Sequence, residues 1–180
     1  MLNLPNILAL IRVLLAPLMF LFLVDRDNSI FGNIHDSWLN YFAALIFVIA
    51  SVTDFFDGFV AREWNQKTEL GAILDPLADK MLVLAAFLGL MMLQRANPWA
   101  IYLILTREFF ITGLRVSAAG KGMNVSASMW GKVKTVTQMF AIGFLMMQWP
   151  YASTLLWLSV AITLYSGYEY VAGYIKEVSK

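Results

Sequence analysis

The sequence predicts an all-α integral membrane protein, a bundle of six transmembrane helices with both termini cytoplasmic. Three observations carry that expectation. The 180 residues are 60% hydrophobic, against about 45–50% in soluble domains, and the mean hydropathy is +0.68. Six apolar stretches, near 6–24, 38–61, 71–93, 98–118, 130–148 and 152–173, each approach the roughly 20 residues that span a bilayer. Lysine and arginine gather at alternate ends of these stretches, as a membrane topology requires.

The first stretch opens MLNLPNILALIRVLL. It has no basic leader and no small-residue cleavage site, so it reads as a span and not a cleavable signal. The polar breaks DRDNSIFGNIHDS, EWNQKTE, QRANP, AGKGMNVSAS and QWPYA separate the six stretches. With six spans, the termini share one side with the second and fourth breaks. That side holds Arg62, Lys67, Lys121, Lys176 and Lys180, and Arg12, Arg107, Arg115, Lys132 and Lys134 lie in the helix halves nearest it. The other side has Arg26 and Arg95 beside Asp25, Asp27 and Asp36. The positive-inside rule makes the first side cytoplasmic. Trp38, Trp99, Trp130, Trp149 and Trp157 fall at or near span ends, where an aromatic belt sits. The whole chain, 1–180, reads as a single domain. A net charge of +1 gives no reason to expect nucleic acid as a partner. The absence of cysteine excludes disulfides and thiolate metal sites.

Four of the seven aspartates fall within DFFDGFVAREWNQKTELGAILDPLADK, residues 54–80. Asp54 and Asp57 are three apart at the end of the second stretch, and Asp75 and Asp79 four apart at the start of the third. Residues at that spacing share a helix face, and the short break makes the two helices neighbours. Two carboxylate pairs can then face one groove. Four ionised carboxylates in a low-dielectric site repel unless they are protonated or neutralised by cations. Oxygen-only ligands suit Mg²⁺, Mn²⁺ or Ca²⁺, and a paired-metal site suits phosphoryl chemistry. Structural ion pairs with Arg62, Lys67 and Lys80, or an ion-coupled carrier, are the other readings of the same residues. Gly58 allows close approach of a ligand or backbone, Ala61 keeps its position small, and Arg62 offers a charged fork to phosphate. Gly71 stands one turn before Asp75.

In full, the pattern is D-x2-D-G-x2-A-R-x8-G-x3-D-x3-D. It resembles the signature of the CDP-alcohol phosphotransferases, integral membrane enzymes of phospholipid synthesis. Asp54, Asp57, Gly58, Ala61, Arg62, Gly71, Asp75 and Asp79 occupy all eight fixed positions. The resemblance implies transfer of a substituted phosphate from a CDP-activated donor to an alcohol, with release of CMP. It implies that Asp54, Asp57 and Asp75 ligand two divalent ions, Mg²⁺ or Mn²⁺, with Asp79 contributing to the site and serving as the catalytic base. It places Gly58, Ala61, Arg62 and Gly71 around the donor nucleotide, and it suggests a homodimer.

The acceptor is read from other residues. Arg107 and Arg115 in TREFFITGLR are eight apart on one helix, close to one face, with Glu108 beside Arg107. Lys132 and Lys134 open the next helix in GKVKT. Four basic groups on the aspartates' side point to an anionic acceptor, a phosphate monoester. The lysines have a second reading, as topology determinants or anionic-lipid contacts. The segments NLPNILALIR, DPLADK, REFFITGLR and GKVKT look like a narrower group within the family. Its members transfer a phosphatidyl group from CDP-diacylglycerol to sn-glycerol 3-phosphate in the bacterial inner membrane. One departure is Ala9, where the family often has threonine. Within the family, serine, inositol phosphate or phosphatidylglycerol are the competing acceptors. Outside it stand an aspartate-rich intramembrane prenyltransferase and an ion-coupled transporter.

Asn6 is either a contact to the donor or metal shell or a helix cap. Arg12 is either such a contact or a snorkelling cation. His35 is expected in a solvated loop away from the site, and the methionines are expected to pack.

Overall fold

Each apolar stretch forms one helix. A computed structural model describes residues 4–26, 30–32, 34–63, 69–120 and 129–178, of which 4–5, 54–63 and 69–76 are described as backbone alone. The helices are α1 (Leu4–Val24), α2 (Asp36–Glu63), α3 (Glu69–Met92), α4 (Pro98–Gly120), α5 (Met129–Met147) and α6 (Ala152–Val178). They run from 19 to 28 residues. At about 1.5 Å per residue each is close to the ~30 Å hydrocarbon core in length. By composition as well as length, two described segments qualify as spans, Asn6–Val24 and Asp36–Thr53. The more charged helices, such as α4 with Arg107, Glu108 and Arg115, fall short on composition.

The helix ends have local causes. His35 caps α2, its carbonyl accepting from Trp38 N (2.9 Å) and its Nδ1 from Ser37 N (3.2 Å). Asn97 caps α4 through its Oδ1, which accepts from Trp99 N (2.9 Å), with Pro98 in the first helical position. α3 and α5 both end in Schellman turns. Arg95 N donates to Leu90 O (2.9 Å) and Trp149 N to Phe144 O (3.0 Å). The left-handed position is filled by Gln94 in one (φ 57°) and Gln148 in the other (φ 54°).

The chain divides into two compact units, residues 1–95 and 96–180. In the first, α1 packs against α2 and α3, and α2 against α3. α1 and α3 approach closely at Gly89, where an added Cβ would lie 2.9 Å from Leu23 Cβ and 2.7 Å from its Cδ1. Because Leu23 Cβ is anchored to the backbone, Gly89→Ala is expected to force the helices apart. The cost is about 1–3 kcal/mol, measurable as a lower thermal unfolding temperature in detergent. An unchanged temperature would mean the crossing is looser than this contact.

At the end of this unit away from the aspartates, three helix ends meet on one side chain. Asn40 Oδ1 accepts from Arg26 Nη2 (2.7 Å) and from Arg95 Nη1 (2.8 Å). Arg26 also donates to Leu23 O and Asp36 O and pairs with the Asp36 carboxylate at 3.7 Å. Burial lowers the pKa of both arginines, Arg26 adds to the lowering at Arg95, and Asp36 opposes it at both. The neutral amide oxygen of Asn40 thus serves two partly desolvated cations. Asp25, itself buried, receives Ile30 N and Phe31 N and orders the start of the connection to α2.

In the second unit α6 packs against both α4 and α5. Its buried residues, Leu156, Ser159, Val160, Thr163, Ser166, Gly167 and Tyr170, recur at three- and four-residue spacing and form one stripe. Large apolar side chains remain exposed on the outer faces, Leu14, Phe110 and Leu158 among them, as a bilayer-facing surface would require.

Candidate functional site

The aspartate pattern lies where two neighbouring helices carry it. Asp54, Asp57, Gly58, Ala61 and Arg62 are on α2, and Gly71, Asp75 and Asp79 are on α3. The side chains of the first seven, and all of Lys67 and Lys121, lie outside the described residues. Asp79 is described and partly exposed. Its Oδ1 accepts from Arg12 Nη1 at 2.5 Å. Arg12 is fully buried within the bundle, so it does not snorkel. A guanidinium placed there holds a carboxylate in one orientation by a charge-assisted bond. Asn6, also buried, is the third residue of α1 and not its cap. Ala9 is buried on the same helix. Four acidic residues stand on two packed helices, and carboxylate oxygens are the donor type that suits hard divalent cations.

The second unit assembles a cation cluster. Glu108 lies between Arg107 and Lys134, accepting from Arg107 Nη1 at 3.3 Å and from Lys134 Nζ in a short charged bond. The three side chains are 9%, 18% and 11% exposed for Arg107, Glu108 and Lys134, so solvent screens them little. Arg107 Nη2 reaches across to α6 and donates to Ser166 Oγ at 2.7 Å. Arg115 lies over the ring of Tyr170, its Cζ 5.3 Å from the centroid. Lys132 is exposed. It is two residues from Lys134 and so stands on another side of α5. His35 is an exposed residue at the α2 cap, well along the chain from either cluster. Ser166, Gly167 and Tyr170 belong to no motif in the sequence. Their one signal is the three- and four-residue spacing of Thr163, Ser166, Gly167 and Tyr170 along an otherwise largely apolar helix.

The family model for CDP-alcohol phosphatidyltransferase matches residues 2–165. The chain belongs to the CDP-alcohol phosphatidyltransferase family. It is similar to the CDP-diacylglycerol–glycerol-3-phosphate 3-phosphatidyltransferase of Bacillus subtilis strain 168, with 39% identity over 94% of each chain. The protein of that name from Escherichia coli K12 is 39% identical over 94% of this chain and 93% of its own. A probable phosphatidylglycerophosphate synthase of Mycobacterium tuberculosis H37Rv is 38% identical, covering 98% of this chain and 83% of its own. The family accounts for the aspartate pattern on α2 and α3. The relatives bear on the choice of acceptor.

Proposed function

We propose that the chain transfers the phosphatidyl group of CDP-diacylglycerol to sn-glycerol 3-phosphate, giving phosphatidylglycerophosphate and CMP. The observation that carries the acceptor is the Arg107–Glu108–Lys134 cluster, with Arg115 on the same helix as Arg107. Buried guanidinium and ammonium groups recognise a phosphate monoester and have no use for a neutral alcohol. The names of the relatives support the same acceptor.

In this reading the acceptor hydroxyl oxygen forms a bond to the donor's phosphatidyl phosphorus. The bond from that phosphorus to the bridging oxygen breaks, and CMP leaves with the electron pair. Asp79, held by Arg12, takes the hydroxyl proton. Asp54, Asp57, Asp75 and Asp79 would hold two divalent ions, Mg²⁺ or Mn²⁺, which supply charge stabilisation at the pyrophosphate. Gly58, Ala61, Arg62 and Gly71 surround the donor nucleotide. Arg107, Arg115 and Lys134 take the acceptor phosphate, and Asn6 belongs to the donor or metal shell. The chain works as one six-span domain in a bacterial inner membrane, with both termini and the aspartates at the cytoplasmic face. The distribution of lysine and arginine supports that topology. A homodimer belongs to the same reading and rests on the family resemblance.

The test is CMP release by purified protein in detergent, with CDP-diacylglycerol and Mg²⁺ or Mn²⁺. Glycerol 3-phosphate, serine, inositol phosphate and phosphatidylglycerol are offered one at a time. CMP is expected with glycerol 3-phosphate alone and is expected to vanish with EDTA. Release with a different acceptor would move the cation cluster to another alcohol. Arg107→Ala or Arg115→Ala is expected to raise the KM for glycerol 3-phosphate about tenfold or more, with the donor KM little changed. A rise confined to the donor KM would remove both arginines from the acceptor site.

A further inference from the structure

We propose that α6 is the positioning element of the acceptor site, its Ser166, Gly167 and Tyr170 face fixing the two arginines of α4 for phosphate. This rests on the reading of Arg107 and Arg115 as acceptor ligands.

The buried stripe of α6 changes character along its length. Its first half carries Leu156, Val160 and Ser159, whose hydroxyl donates within the helix to Leu156 O (2.7 Å). Its second half carries Thr163, Ser166, Gly167 and Tyr170. A buried hydroxyl is costly unless bonded, so the polar half needs partners, and two of its residues meet Arg107. Ser166 Oγ donates to Thr163 O at 3.1 Å and accepts from Arg107 Nη2 at 2.7 Å. A guanidinium only donates, so these roles cannot be exchanged. The serine proton stays on α6 and its lone pair faces the arginine. Gly167 is next to it. A Cβ there would lie 3.1 Å from both Cγ and Nε of Arg107. The arginine stem therefore runs against the α6 backbone, where any added side chain would make it shift.

One turn further, Tyr170 is buried and presents its ring to Arg115. Both arginines thus take their orientation from residues four or fewer apart on one helix face. Glu108 holds Arg107 from the opposite side at Nη1. Arg107 Nε is buried and has no hydrogen-bond partner among the described residues. A guanidinium clamped at two nitrogens has little orientational freedom left to lose when an anion binds, which is how preorganisation raises affinity. The same helix offers an internal comparison. Thr163 Oγ1 accepts from Gln138 Nε2 at 2.9 Å, a buried tie between α5 and α6 that touches neither arginine.

A cavity of about 280 Å³ between α4 and α6 borders Arg107 and Gly167 and is otherwise walled by residues such as Leu103, Phe110 and Leu164. It gives the arginine room to yield, so Gly167→Ala displaces the guanidinium without unfolding the unit.

The test measures the KM for glycerol 3-phosphate, the KM for CDP-diacylglycerol and thermal unfolding in detergent. The variants are Ser166→Ala, Gly167→Ala, Tyr170→Leu, Tyr170→Phe, Thr163→Val, Gly173→Ala and Arg107→Ala. Ser166→Ala, Gly167→Ala and Tyr170→Leu are expected to raise the acceptor KM about three- to tenfold with the donor KM unchanged. Tyr170→Phe keeps the ring face and restores the parental value. Thr163→Val lowers the unfolding temperature without moving either KM. Gly173→Ala, on the same helix with open space around it, behaves as the parent. If the Ser166, Gly167 and Tyr170→Leu variants lose stability with both KM values intact, or move both together, α6 is a packing helix and the proposal falls alone. If Arg107→Ala itself leaves the acceptor KM unchanged, the acceptor reading fails first and takes the positioning role with it.

Discussion

Asp57→Asn is expected to reduce CMP release by at least about two to three orders of magnitude, and Asp54→Asn, Asp75→Asn and Asp79→Asn to do the same. Asparagine keeps the shape of the side chain and removes its charge. In the proposed reading, a divalent-ion site on α2 and α3 would hold its ions through that charge. The ions' share in stabilising the leaving and transferring oxygens is of the size lost when a main electrostatic contact is removed. The four variants should not be equal in stability. Asp79→Asn also removes the carboxylate that pairs with fully buried Arg12, so its activity is read alongside its unfolding temperature. Substantial turnover in any of the four, from inserted protein, would contradict the assignment of that aspartate to the ion site.

Glu108→Ala carries the largest expected loss of stability. It strips the shared counter-charge from Arg107 and Lys134, both nearly enclosed. Breaking a buried pair from one side costs about 3–5 kcal/mol, because the remaining charge stays desolvated. In a chain of this length that is a fall of roughly 10 °C in unfolding temperature. Glu108→Gln keeps the volume and an acceptor oxygen and should lose less. An unfolding temperature within a degree of the parent for Glu108→Ala would show that water reaches the cluster and the pairing is weak.

The six helices were legible because apolar runs and polar breaks alternate so cleanly. The run expected near 130–148 is α5 at Met129–Met147. α6 runs past its expected end to Val178, with Lys176 in its last turn, where a cation suits the helix dipole. Side-chain partners were not legible to the same degree. Which face a membrane helix turns inward is poorly marked when lipid and core are both apolar. Arg12 could therefore be read as snorkelling, although it is buried against Asp79. Lys132 and Lys134 read as a pair in sequence, yet helical geometry separates them. Ser166 and Gly167 carry no chemistry of their own, and only their contact with Arg107 gives them meaning. The aspartate motif was the opposite case, since its eight fixed residues resemble the family signature without any knowledge of side-chain contacts.

The ties of the first unit have a bearing on how the chain is made. Arg12 with Asp79, Arg26 with Asn40 and Arg95 with Asn40 all close within the first 95 residues. The last of them waits for Arg95, which emerges from the ribosome just after α3. Synthesis proceeds at about 5–20 residues per second. The first three helices can therefore lock by their own side chains several seconds before Lys180 is added. The backbone that carries Asp54, Asp57, Asp75 and Asp79 then already belongs to a closed three-helix unit before the last residues of α6 are added.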